Sequence, residues 1–218
     1  RVKLQEDPFC VYNYIIEPDK GVEILFVSKN KLALVNPNGF PFINLNLDPY
    51  GRLIRKNQHH TLFDAGFDNL KDIVLSVLES FRESPERYII NLGVKQINNI
   101  ECQVLKVINP NFSFSEYIVQ EGEDIEFIAK KFNLSSYLIL QENNLSFYND
   151  IALGDKILIP NSYGEQFEIW INLQTSLPIV QKVFVNNKLF EYYEFEKIVI
   201  NPEFSYDEFD KDYGEYNF

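Results

Sequence analysis

The chain has 218 residues, 45% of them hydrophobic and 15% aromatic, with a formal net charge of −12. That is apolar material for one ordinary core and a small satellite domain. The charge argues against nucleic acid as a partner, because neutralising phosphates takes clustered Lys and Arg. No window approaches the roughly 18 uninterrupted apolar residues of a membrane-spanning helix.

In chain order, the first third reads as strands and tight turns. Phe9, Val11 and residues 14–16 are β-prone, and Glu17-Pro18-Asp19-Lys20-Gly21 is turn chemistry. Strands are expected at residues 22–27 and 31–35, with a turn at Asn36-Pro37-Asn38-Gly39, giving an antiparallel meander. Phe67, Leu70, Val74, Val77, Leu78 and Phe81 then recur at helical spacing, with Asp64 near the start and Pro85 closing the segment. Strands resume at residues 88–92 and 102–108. Beyond residue 165 the period returns to two: Phe167, Ile169 and Ile171 alternate with Glu168, Trp170 and Asn172. Asn186-Asn187 predicts a hairpin turn. In the acidic C-terminus, Phe209, Tyr213, Tyr216 and Phe218 interleave with the carboxylates, which predicts a docked segment rather than a disordered tail.

Between the two β-rich regions lies a different pattern. A short strand (Tyr117, Ile118, Val119) is followed by Gly122 and then by Ile125, Ile128, Ala129 and Phe132 at i, i+3, i+4 and i+7, the stripe of a helix on a small core. Asp124 is placed to cap that helix, and Ser135 or Ser136 a second one reaching about Asn143. Ile151, Gly154 and the strand Ile157-Leu158-Ile159 close the unit before Pro160. The order is β-α-α-β.

These residues resemble a LysM domain over residues 117–160. The family's opening Tyr-x-Val corresponds to Tyr117 and Val119, its Gly-Asp pair to Gly122-Glu123, and its Ile-Ala to Ile128-Ala129. Asn143 ends the second helix, and Ile151, Gly154, Ile157, Ile159 and Pro160 complete the pattern. Glu123 departs from the usual Asp. Tyr137, Leu138 and Glu142 depart from the usual polarity of the second helix. The resemblance implies peptidoglycan or another N-acetylglucosamine-containing glycan as partner, held between two loops. One supplies Gly122, Glu123, Asp124 and Ile125, the other Asn144, Leu145, Asn149, Asp150 and Ile151. Backbone groups would bond acetamido groups while Ile and Leu cover apolar sugar faces. Alternatively, Ile125 and Ile151 are core and Asn149-Asp150 a turn.

The flanks also carry a resemblance. Residues 101–106 run on to 167–172 and Leu177-Pro178-Ile179 in the manner of the lipoprotein-carrier superfamily of LolA-like and LolB-like proteins. Pro8-Phe9-Cys10-Val11-Tyr12, Glu23-Ile24-Leu25, His60 with Ala65-Gly66, Asn201-Pro202 and the stretch from Phe209 to Phe218 resemble an uncharacterised envelope family within it. This implies an α+β fold, an antiparallel curved half-barrel sheet with a covering helix, carrying an inserted LysM domain. The expected division is host at 1–115, module at 116–162 and host again at 163–218, with an apolar or protein ligand for the host.

No catalytic residue, metal site or cofactor is expected. His59 and His60 are adjacent, so on a strand they point to opposite sides and do not converge on one ion. No nucleophile elbow, phosphate loop or zinc-protease pattern occurs. Cys10 and Cys102 either pair in an oxidising compartment or sit apart as small buried hydrophobes. With no methionine in the chain, Arg1 is not a translational start, and a signal segment removed ahead of it is expected. The resulting expectation is a non-catalytic periplasmic or cell-surface glycan-binding protein. The alternatives are a lipid or lipoprotein carrier with a structural LysM domain, and an envelope-remodelling enzyme.

Overall fold

The computed structural model describes residues 1–56, 58–80 and 82–218, Ser80 by its backbone alone. The chain divides into two compact units, residues 1–70 with 201–218, and residues 71–200.

In the first unit β1 (Val2–Gln5), β2 (Cys10–Tyr14), β3 (Glu23–Val27), β4 (Ala33–Asn36) and β5 (Leu45–Leu47) form an antiparallel meander in sequence order. Successive side chains of a strand point to opposite faces, and both faces of this sheet are covered. Val11 pairs with Phe26 and Tyr12 with Leu25. Val11, Phe26 and Ala33 pack with Leu62 and Phe63, from the stretch after the short helix α1 (Arg52–Arg55). A 3-10 turn at Leu62–Asp64 holds that stretch, with Thr61 and Asp64 forming a capping box. His60 lies 4.0 Å from the same Asp64 carboxylate. On the other face Tyr12 and Leu25 are covered by Phe209, Tyr213, Tyr216 and Phe218. The acidic C-terminus is therefore docked, as its interleaved aromatics predict. Lys3 pairs with Glu208 and Glu215 and lies over the Tyr213 and Tyr216 rings, 4.7 and 5.0 Å from their centres.

The helix α2 (Asp68–Ser80) leads into the second unit. There β6 (Ile89–Ile97), β7 (Ile100–Ile108), β8 (Phe114–Ile118), α3 (Ile125–Phe132), α4 (Ser136–Glu142), β9 (Lys156–Pro160), β10 (Gln166–Asn172), β11 (Pro178–Val185) and β12 (Lys188–Glu194) follow in order. Five of the strands make an antiparallel sheet, β12-β11-β10-β7-β6, and β8 pairs with β9. The β6–β7 and β11–β12 turns use Asn98-Asn99 and Asn186-Asn187, all four residues at positive φ. That is the geometry which matches the twist of a two-residue hairpin.

The covering helix turns a slightly different face inward from the one expected. Ile73 and Val77 are its buried residues, packed with Val107, Phe167 and Val183, while Val74 and Leu78 are half-buried flanks. Ile73 is absent from the sequence-derived stripe because Leu70, Val74 and Val77 satisfy the same spacing. Phe81 lies outside the described residues.

The fold is mixed, with antiparallel sheets and few helices. Among the described residues the strands form two five-stranded antiparallel sheets, one in each unit, and the two-stranded β8–β9 sheet. Each strand of the two larger sheets pairs, among the described residues, within its own unit.

Neither cysteine is in a disulfide. Both are free and buried, and burial pushes both thiols above their ordinary value.

Candidate functional site

Strands β7 and β10 are antiparallel neighbours, Val107 opposite Phe167, and residues 109–165 connect them. Where the connection leaves and returns, the Asn109 amide donates to the Glu165 carbonyl at 2.8 Å. Between these points β8 and β9 pair with Tyr117 opposite Ile157. Val119, Ile125, Ile128, Ile139, Tyr148 and Ile157 make a core of their own between the two strands and the two helices. The helix starts are as the sequence implies: Asp124 accepts from the Phe127 amide and the Ser135 hydroxyl from that of Leu138. Ser136 instead donates to Glu126 at 2.9 Å.

Asn143 has a double role. Its side-chain NH2 donates to the Ile139 and Leu158 carbonyls, each at 2.8 Å, and its oxygen accepts from the Leu158 amide at 2.7 Å. The end of α4 is thus pinned to β9 by a side chain that imitates a neighbouring strand.

The loop between β8 and α3 is built around Glu123. Its carboxylate accepts from the Gln120 amide, from the Tyr117 hydroxyl and from Lys131, each at 2.9 Å. Burial disfavours the charge, but the hydrogen bonds from Gln120, Lys131 and Tyr117 outweigh it and hold this carboxyl below its ordinary value. The departure from Asp at this position has a structural use, since the longer side chain spans the turn. Gly122 precedes it at φ +78°, exposed, with nothing within 4 Å of where a Cβ would stand.

The structure brings part of the two expected loops together. The Ile125 amide donates to the Tyr148 carbonyl at 2.9 Å, which sets residues 122–125 against residues 148–151. Gly122, Asn149 and Asp150 are exposed there, and Ile151 is half-buried against the module core. The Ile125 side chain is fully buried, so it does not cover a sugar face, and this position offers backbone only. Likewise the carboxylates of Glu123 and Asp124 serve the fold of the loop. Asn144 and Leu145 stand at the end of α4, where their amides bond Gln141 and Leu140 within that turn. Sequence reasoning passed over two residues. Tyr148 supplies the carbonyl that joins the loops, and Leu153, 68% exposed, is the most exposed apolar side chain of the module.

The module also touches the larger sheet of its own unit. The Tyr137 ring of α4 lies 6.3 Å from Phe190 of β12. Just beyond the module, the Tyr163 hydroxyl donates to Glu191 at 3.0 Å, and burial and that carboxylate push the phenol well above its ordinary value. Among the described residues no cluster of three or more metal-ligating side chains occurs, and no helix is long and apolar enough to cross a membrane.

Residues 117–160 thus form a β-α-α-β unit with paired outer strands and two loops joined by the Ile125–Tyr148 hydrogen bond. Residues 117–160 match the LysM domain. Residues 1–120, more than half of the chain, match the family described as protein of unknown function (DUF1571), and the chain belongs to that family. Neither match is to a lipoprotein carrier. No curated protein and no solved structure matches the chain.

Proposed function

We propose that this is a non-catalytic protein of the cell envelope that binds peptidoglycan, or another glycan containing N-acetylglucosamine, through the seam between residues 122–125 and 148–151. The observation that carries this reading is the LysM match at residues 117–160, in a unit whose two loops are joined by the Ile125–Tyr148 hydrogen bond. The exposed loop backbone at Gly122 and Asn149, together with the exposed side-chain amide of Asn149 and the Asp150 carbonyl, supplies donors and acceptors for acetamido and hydroxyl groups. The half-buried Ile151 and the exposed Leu153 supply apolar surface for a sugar face. Glu123 and Asp124 shape the first loop, and Asn144 and Leu145 shape the start of the second.

The module at 116–162 is read as an insertion into the β7–β10 connection. Its ends meet through β8 and β9, so it enters and leaves without disturbing the host ladder. An envelope or extracellular setting follows from the LysM domain, which occurs in proteins of that kind. The lipid or lipoprotein cargo expected from the carrier-like motifs is not part of this proposal. It rested on the resemblance to the carrier superfamily, and neither family match is to a lipoprotein carrier.

Sedimentation with purified peptidoglycan tests the reading. Wild type is expected in the pellet, and Gly122→Val and Asn149→Ala are each expected to weaken retention by about tenfold. Asn149 is exposed, so its substitution spares the core and separates binding from folding. A wild type that stays in the supernatant overturns the proposal.

A further inference from the structure

The loop between β4 and β5 in the first unit presents apolar side chains to solvent. Phe40 is 87% and Phe42 81% exposed. Phe42 has a φ of +61°, a left-handed conformation that bulky residues rarely adopt. Such strain persists only where the surroundings impose it, and it clusters at ligand sites. Here the Phe42 amide donates to the Gly39 carbonyl at 2.5 Å, and the ring stands exposed.

Beside that ring lies an open-mouthed cavity of about 450 Å³, the size of a small-ligand site. Its walls hold four asparagines (Asn36, Asn38, Asn44 and Asn217) together with Phe42 and Phe218, and none of its described lining side chains is charged. In a chain with 24% charged residues, that is a selective composition. Three of the amides are fixed in orientation. The Asn36 side chain donates to the Asn217 carbonyl at 2.8 Å and accepts from the Asn38 backbone N–H at 2.9 Å. Asn38 donates to the Lys20 carbonyl at 3.0 Å, and the Asn217 NH2 donates to the buried Glu23 at 2.6 Å. The side-chain oxygens of Asn38 and Asn217 are left over. Among the described residues the Asn44 amide makes no hydrogen bond, so donor and acceptor are both on offer.

Each rival ligand class meets an obstacle. An anion would find no Lys or Arg side chain in the described walls, and a cation no Asp or Glu side chain. An acyl chain would desolvate amides that it cannot bond. What remains is a neutral ligand with hydroxyl or amide groups on its edges and an apolar face for an aromatic ring. We infer that this cavity is a saccharide site, with Phe42 as the platform and Asn38, Asn44 and Asn217 as the bonding amides. The choice of N-acetylhexosamine among neutral sugars rests on the glycan-binding reading of residues 117–160. The lining itself does not.

The test is titration of the full chain, labelled with nitrogen-15, with the N-acetylglucosamine tetramer. The side-chain amide signals of Asn38 and Asn44 are expected to shift, and Phe42→Gly and Asn44→Ala are each expected to weaken that response at least tenfold. Both residues are exposed, and glycine accepts the φ at position 42, so both variants keep their fold. The inference is overturned by silent Asn38 and Asn44 signals at millimolar tetramer, or by shifts that survive Phe42→Gly. It is equally overturned by shifts that a neutral alanine tripeptide elicits and the tetramer does not. Signals from residues 122–125 and 148–151 report the module separately. A response there without one at Asn44 sinks this inference alone, and the reverse sinks the module reading alone.

Discussion

Glu123 and Lys131 face each other across the base of the β8–α3 loop, with carboxylate and ammonium 2.9 Å apart and the Tyr117 hydroxyl bonded to both. The Glu123 side chain is only 5% exposed and that of Lys131 is 42% exposed, so the pair is anchored on its acidic partner. The arrangement fixes the loop that carries Gly122.

The pH dependence of this contact has a definite sign. The folded state holds the Glu123 carboxyl below its ordinary value. Its contribution is therefore complete above the unfolded value, near 4.5, and is lost as pH falls through the folded one. Replacing Glu123 by Gln removes the charge-assisted bonds, a loss of about 1 kcal/mol once screening at the exposed lysine is allowed for. Thermal melts of wild type and E123Q are expected to differ most above about pH 5 and to converge on acidification. A gap that widens in acid contradicts this assignment.

Asn143 offers a second measurement. Asn143→Ala deletes three hydrogen bonds and leaves the Leu158 amide and carbonyl without their present partner. At about 1 kcal/mol per net hydrogen bond, the expected loss is about 2–3 kcal/mol. Hydrogen exchange should localise it, with faster exchange in α4 and β9 and little change in β1–β5.

The module was legible from sequence because its signals are local. The Ile125, Ile128 and Ala129 stripe, the Asp124 and Ser135 caps and the Ile157 strand each lie within one element, and all are where their pattern puts them. The two-sheet arrangement was not legible. Alternation in Phe167 to Ile171 marks a strand, but β7 becomes its neighbour only across the 109–165 connection, and no local pattern encodes that pairing. The seam was half visible. Gly122 and Ile125 stood out by type, whereas the Tyr148 carbonyl is a backbone group that every residue possesses. The apolar helical spacing of Ile125 also had two readings, and burial selects the core for its side chain.

The cysteines give a prediction without mutagenesis. Both thiols are buried and pushed above their ordinary value, and the thiolate is the reactive species. At neutral pH the native protein should consume almost no thiol reagent over minutes, and two equivalents once denatured. Rapid labelling of the native chain would mean that a thiol reaches solvent.

Tyr216 joins the C-terminal segment to the first sheet. Its ring is stacked on Tyr12 at 3.8 Å, with an interplanar angle of 12°. Its hydroxyl donates to the Glu208 carbonyl at 2.6 Å. Tyr12 in turn donates to Glu23 at 2.9 Å, and the same carboxylate accepts from the Asn217 amide at 3.2 Å. Tyr216→Ala therefore removes a buried ring from a closed network, and large-to-small changes of this kind cost about 3 kcal/mol or more. Tyr216→Phe keeps the stack and forfeits only the bond to Glu208, about 1 kcal/mol. Urea unfolding should rank the two variants in that order. Limited proteolysis should cut residues 203–215 first in the alanine variant, because the aromatic anchor beyond them is gone. Equal losses in both variants would assign the stability of the segment to the hydroxyl and not to the stacked rings.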